Sequence, residues 1–138
     1  NLLKCARTVA DTHAGAFPDT VDALLKLPGV GPYTASAVAA IAYNRPTVPV
    51  DGNIERVVSR LFNIRTPLPG AKPEIQTCAS LFADSERPGD FAQAVMDMGA
   101  TICVPKNPKC MLCPVQEYCD GRKMGDPSVL PVKAPKKV

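Results

Sequence analysis

The chain has 138 residues, about one compact domain, and its 46% hydrophobic and 21% charged residues are globular proportions that exclude wholesale disorder. No apolar run approaches the roughly 20 residues needed to cross a bilayer, so a membrane span and a membrane partner are both excluded. Net charge is only +3, and the stretch from Asp120 to Val138, with five basic residues against two acids, carries all of it; bulk charge alone does not mark a nucleic-acid binder.

The opening Asn1-Leu2-Leu3-Lys4 is neither an initiator methionine nor a signal peptide, and it reads as the interior of a longer chain. Helical periodicity recurs from there, with no strand-like alternation and no internal repeat. Leu2, Leu3, Ala6, Val9 and Ala10 define one face of a first helix that ends near Gly15. A short helix from Thr20 to Lys26 follows, capped by Asp19 or Thr20. Beyond Leu27-Pro28-Gly29-Val30-Gly31 a small-residue helix runs from Pro32 to Tyr43, with proline at a first helical position where its missing N–H costs nothing. Ile54, Val57, Val58, Leu61 and Phe62 form the i, i+3, i+4, i+7, i+8 stripe of an amphipathic helix. Another is expected from Pro73 to Asp84 with Ile75, Cys78, Leu81 and Phe82 inward. A last long one begins at Pro88 and carries Phe91, Val95, Met98 and Ile102 towards Cys103. The expected fold class is all-α. Six of the 15 prolines lie from Pro105 onward, and with the basic run they predict a cysteine-bounded loop, then an extended linker with further chain beyond it.

Three constellations carry chemistry. In Leu27-Pro28-Gly29-Val30-Gly31 two glycines flank a β-branched residue, so a tight turn can aim backbone N–H groups outward at the start of the next helix, where an anion is favoured. An ordinary glycine-capped helical hairpin fits the same residues equally well. Asp51, in Val50-Asp51-Gly52-Asn53, fits a plain helix N-cap. The same geometry also fits a carboxylate held ionised and fixed in direction, able to stabilise positive charge on a sugar as a glycosidic bond breaks. Gly52 would leave room for a substrate, and Asn53 would bond the carboxylate or that substrate.

The third constellation is Cys103-x6-Cys110-x2-Cys113-x5-Cys119. Four thiolates in one short loop can ligate a zinc ion or a [4Fe–4S] cluster. Zinc sites usually pair two short units, whereas here one short unit has a ligand on either side, which favours iron–sulfur. Lys106 and Lys109 lie in the same loop, as phosphate contacts or as plain solvated lysines. Cys5 and Cys78 stand apart within helical patterns as small buried residues. A tight cluster, unlike a dispersed disulfide framework, points to an intracellular compartment.

A helix-hairpin-helix (Leu27 to Ala35), an aspartate about 20 residues on and this cysteine loop together resemble the endonuclease III-like DNA glycosylases over Thr20 to Cys119. Val50 to Asn53 and Met96-Asp97-Met98-Gly99-Ala100-Thr101-Ile102-Cys103 look like the MutY-type adenine DNA glycosylases within that superfamily. The resemblance implies a helix-hairpin-helix glycosylase fold: part of a helical barrel over 1–50, a cluster-bearing helical domain over 51–122, a basic Pro-rich linker over 123–138, and the active site at the seam of the first two. It implies removal of adenine mispaired with 8-oxoguanine or guanine from double-stranded DNA, after the base is flipped out. Asp51, Asn53 and Tyr33 would then be catalytic. Leu27, Pro28, Gly29, Val30, Gly31, Lys106 and Lys109 would contact DNA, with a monovalent cation at the hairpin. Cys103, Cys110, Cys113 and Cys119 would hold [4Fe–4S].

Tyr33 stands where bifunctional relatives carry a Schiff-base lysine, so a monofunctional enzyme without an efficient lyase step is expected. The family's general acid, a glutamate, lies ahead of the region that starts at Asn1, and its lesion-recognition domain would follow Val138. The 138 residues alone are therefore expected to bind DNA weakly and release little or no adenine. The implied location is cytoplasmic and nucleoid-associated, and the implied parent is monomeric. Two other readings fit the same motifs: an endonuclease III-like glycosylase for oxidised pyrimidines, and a non-catalytic DNA-binding module.

Overall fold

The computed structural model describes residues 1–83 and 86–137. Seven α-helices succeed one another: α1 (Leu2–Thr12), α2 (Val21–Leu25), α3 (Pro32–Tyr43), α4 (Gly52–Leu61), α5 (Lys72–Ser80), α6 (Pro88–Thr101) and α7 (Asp120–Lys123). Short 3-10 turns occupy Cys110–Leu112, Gln116–Tyr118 and Pro127–Val129. Strand-like pairing among the described residues is confined to one isolated bridge, Leu68 to Lys133, so the class is all-α. No helix among the described residues is long and apolar enough to cross a membrane. The chain divides into two compact units, one of Asn1–Pro49 with Ala83–Ala92, the other of Val50–Phe82 with the chain from Gln93 onward.

The first unit is built around the hairpin. Cys5 and Val9 of α1, Leu24 and Leu27, and Ala35 and Ala39 of α3 form its buried core, with Val21, Val30 and Val38 packed at the edge. Alanine at positions 35 and 39 is what admits α2 close to α3, since a larger side chain would hold the two helices apart. Thr20 caps α2 by accepting from the Ala23 N–H at 3.3 Å. At the far end of α3, Asn44 adopts the left-handed conformation (φ 52°), and its N–H bonds the carbonyls of Ala39 and Ala40. Asparagine tolerates that conformation better than most residues. Gly89 lies against this same helix, where a Cβ would come 2.6 Å from the Ala40 carbonyl oxygen.

The predicted face of α1 needs correction. Leu2 and Leu3 are 86% and 63% exposed, and Ala6 and Ala10 are exposed as well. Only Cys5 and Val9, one turn apart, are covered by the hairpin core. A narrow i, i+4 contact suffices where a helix meets its neighbour along one line.

In the second unit α4 is central. Ile54, Val57 and Val58 are buried with Ile64, Ala71, Ile75 and Ala79, and α4 packs on α5 and α7. The α5 pattern also departs from expectation: the helix stops at Ser80, and Leu81 is 69% exposed. Phe82 turns to Phe62 instead, ring centroids 6.1 Å apart at a 55° tilt, a favourable edge-on geometry. The predicted end of that helix at Asp84 lies outside the described residues.

The stretch expected as a free linker is anchored over much of its length. Leu130 is buried, the Leu68 N–H bonds the Val132 carbonyl at 2.8 Å, and the Ala134 N–H bonds the Leu68 carbonyl at 3.2 Å. Burial of one leucine and pairing of its neighbours hold a segment that composition alone assigns to solvent; from Pro135 to Lys137 the chain is exposed.

Gly121, buried in α7, lies so close to α4 that a Cβ there would overlap the Arg60 carbonyl oxygen. Gly121→Ala is therefore expected to cost about 1–3 kcal/mol, read by urea unfolding. Gly52→Ala, at a position with nothing within 4 Å, should leave the midpoint unchanged or raise it by up to about 1 kcal/mol equivalent.

Candidate functional site

The hairpin residues and Tyr33 belong to the first unit, whereas Asp51, Asn53, the lysines and the four cysteines belong to the second. In the hairpin, Leu27 is buried and anchors the turn. The Val30 N–H closes it by donating to the Leu27 carbonyl at 3.2 Å. Gly29 sits at φ +78°, a left-handed conformation open to glycine, and a Cβ there would meet the Asn1 side chain at 2.9 Å. Gly31 is the N-cap of α3. Pro32 has no N–H, and those of Gly29, Gly31, Tyr33 and Thr34 meet no acceptor among the described residues. Four unspent donors beside a helix start favour a nearby anion. Tyr33 is 44% exposed beside it.

Asp51 is the N-cap of α4, with extended backbone. Its Oδ1 accepts from the Ile54 N–H at 2.7 Å, and its Oδ2 accepts from the Asn53 side-chain amide at 3.3 Å. The carboxylate is half-buried: two bonds set its direction while lone pairs remain for another molecule. Behind it, Asn53 Oδ1 accepts from Arg56 Nη2 at 2.9 Å. Arg56 also donates to the carbonyls of Gly99 and Cys103, the latter at 2.8 Å. Burial, and then the neighbouring Arg60, hold the Arg56 guanidinium below its usual pKa, against the pull of Cys103 and Asp51. Gly99 is needed for this approach, because a Cβ would stand 3.0 Å from the Asn53 Cβ. A chain of bonds thus joins the carboxylate to the backbone of the first loop cysteine.

Cys103, Cys110, Cys113 and Cys119 line one cavity together with Arg60, Ile102, Pro108, Gln116, Arg122 and Pro127. All four are free thiols. Burial pushes the Cys110 thiol up, and Cys103, Cys119 and Cys113 push it further, against Arg122. Among the described residues no three His, Cys, Asp or Glu side chains converge as a single metal ion requires. Four thiols around one cavity are the donor set that an iron–sulfur cluster takes. Lys106 and Lys109 are exposed in the same loop, and Lys106 lines a groove of about 910 Å³ with Gly52, Glu55, Arg56 and Lys133.

Two residues with no place in the motifs emerge here, Arg56 and Arg60. Their signal in the sequence is a like-charge pair at i, i+4, unfavourable on a free helix surface, and here each guanidinium is committed to backbone carbonyls.

Residues 12–41 match the helix-hairpin-helix motif, and residues 103–119 match the iron–sulfur binding domain of endonuclease III. The chain is 43% identical over 121 residues to an adenine DNA glycosylase of Schizosaccharomyces pombe, covering 86% of this chain and 26% of that protein. It is 36% identical to one of Mycolicibacterium smegmatis, covering 92% and 43%. Over most of its length the chain is similar to the adenine DNA glycosylase family. It spans about a quarter of the yeast relative's length and less than half of the mycobacterial one's. The fold resembles a thermostable thymine-DNA glycosylase, with a TM-score of 0.78 and 31% identity over 90% of this chain and 58% of that one. It also resembles endonuclease III in a non-covalent DNA complex, at 0.72 and 29% over 90% and 57%. As in that family, the cofactor of the cysteine loop is a [4Fe–4S] cluster.

The purified chain is expected to be brown, with iron and sulfide in about equal amounts. Cys113→Ser should lose most of that iron while Cys78→Ser, whose cysteine lies outside the cavity, keeps it. Elemental analysis of a colourless protein with stoichiometric zinc would contradict the assignment.

Proposed function

We propose that the protein containing this chain is a monofunctional base-excision repair glycosylase, hydrolysing the N-glycosidic bond of adenine mispaired with 8-oxoguanine or guanine in double-stranded DNA. The observation that carries this reading is the oriented Asp51 carboxylate, held by the Ile54 N–H and Asn53 and only half-buried. The relatives' shared name supports it.

As the bond to adenine stretches, positive charge grows on the deoxyribose. A carboxylate already fixed in direction stabilises that charge without reorganising, and this preorganisation is the main source of its effect. Asn53 keeps the carboxylate from rotating, and Arg56 keeps Asn53 from rotating. Tyr33, with its exposed ring, is assigned to substrate contact. The free N–H groups of the hairpin grip a backbone phosphate, and Pro28 to Gly31 would hold it together with a monovalent cation. Such a grip reads no bases, so it demands no strongly basic surface. Lys106 and Lys109 meet phosphates further along. Cys103, Cys110, Cys113 and Cys119 would hold the cluster, whose thiolate bonds, when formed, brace the loop that carries those lysines. The accompanying location is cytoplasmic and nucleoid-associated, with a monomeric parent.

The test is single-turnover adenine release from a duplex with 8-oxoguanine opposite adenine, comparing the 138-residue chain with a form extended at its N-terminus to the length of its relatives. The extended form should release adenine and the 138 residues little or none; release of an oxidised pyrimidine instead of adenine would favour the endonuclease III-like reading. Asp51→Asn in the extended form should lower the rate by about 10²- to 10³-fold. Its stability should fall less than that of Asp51→Ala, which loses the cap at about 0.5–2 kcal/mol.

Tyr33 gives a second check. Borohydride should trap no covalent adduct between the protein and DNA. An adduct mapped to a lysine near the hairpin would overturn the monofunctional assignment.

A further inference from the structure

Arg60 is the largest fully buried side chain among the described residues, 1% exposed. It is a cation in the interior, and no carboxylate lies within ion-pair distance of it among the described residues. Asp126, an acid that feels its field, is exposed and bonds the Ser128 N–H at 2.9 Å. Arg60 meets only neutral acceptors: Nε donates to the Leu130 carbonyl at 3.0 Å, Nη1 to Val104 at 2.7 Å and Cys103 at 3.3 Å, and Nη2 to Pro105 at 3.0 Å. Nη1 also points to the Cys103 Sγ at 3.4 Å. From the other side, the Cys119 Sγ lies 3.5 Å from the Arg60 carbonyl oxygen. The residue lines the cavity that all four cysteines share.

A buried charge that lacks a partner is costly, and proteins usually pair it or neutralise it. Arginine cannot neutralise itself by losing its proton. The missing negative charge therefore has to come from something this cavity is built to receive. Four thiolates bring more negative charge than an iron–sulfur core cancels, and that charge would sit against the Arg60 guanidinium.

We propose that Arg60 is the buried counter-charge of the iron–sulfur cluster, a positioning residue that retains the cluster and raises its reduction potential. This rests on the reading that the four cysteines ligate the cluster. Cluster potentials respond to net charge, to hydrogen bonds on the sulfurs and to solvent exposure, and Arg60 acts on the first two at Cys103. A fixed positive charge favours the more negative, reduced form, so removal of the charge lowers the potential. The carbonyl contacts alone would give a purely structural role, which leaves the potential where it is.

The test uses the 138-residue chain reconstituted with iron and sulfide without oxygen, as wild type, Arg60→Gln, Arg60→Lys and Leu130→Ala. The last disturbs the same packing without changing charge. Measured are the rate of iron loss to a chelator, the reduction potential by protein-film voltammetry, and the unfolding midpoint of each chain without iron. Arg60→Gln is expected to lose iron about 10- to 100-fold faster than wild type and to have a lower potential. Arg60→Lys should keep a potential close to wild type, and Leu130→Ala should fall in stability with its potential unchanged. A wild-type potential in Arg60→Gln overturns the proposal, as does iron loss from Leu130→Ala as fast as from Arg60→Gln. So does an Arg60→Gln chain that is unfolded without iron, which would assign the residue to the fold alone. If wild type itself takes up no iron, the cysteine reading fails first and the inference falls with it.

Discussion

The second unit depends on a guanidinium held out of water by backbone carbonyls. Arg60 donates to Cys103, Val104, Pro105 and Leu130, residues 43 to 70 positions away in sequence. Hydrogen bonds to a charged donor contribute about 1.5–3 kcal/mol each, and together they offset part of the desolvation cost, leaving the charge itself without an opposite one. The same residue therefore ties the start of the cysteine loop and the Pro-rich tail to the middle of α4. Its carbonyl side receives Gly121, the one residue small enough for α7 to come that close. Loop, tail and α7 are arranged about one side chain and its own peptide group.

One turn earlier on α4, the same logic is applied to a smaller task. Arg56 spans Asn53, Gly99 and Cys103, and through Asn53 it reaches the Asp51 carboxylate. An acid at a helix start is favoured by the helix dipole, so α4 supplies the direction and the field for Asp51 by its own geometry. Two arginines four residues apart would repel each other on an open surface. Here they are kept because each reaches a different set of carbonyls. In the first unit the economy is different. Binding capacity at the hairpin resides in backbone N–H groups, which carry no formal charge, and this is consistent with a chain whose net charge is only +3.

Local chemistry was legible where a residue acts on its near neighbours in the chain. The helix from Pro32 to Tyr43 follows from proline at its first position and from the turn before it. Thr20 caps α2 and Asp51 caps α4 because a short acceptor side chain reaches an N–H three residues on. The cysteine spacing required no fold to be read as a metal-cluster loop. Packing direction was less legible. Leu2, Leu3 and Leu81 are as apolar as any core residue, yet they lie outside because the neighbours that cover α1 and α5 touch them along other lines. The prolines and lysines of the tail read as a linker, but burial of Leu130 and the pairing of its neighbours with Leu68 hold it.

What the sequence by itself determined is the six helices up to Cys103, the caps of α2 and α4, the glycine turn and the four thiols, since each depends on contacts within a few residues. Only the tertiary structure decided which faces are buried, and that two arginines on α4 serve the interior. Those choices depend on groups that meet across 40 or more positions of sequence. A buried cation is recognisable only once the carbonyls that solvate it in place of water have been brought to it by the fold.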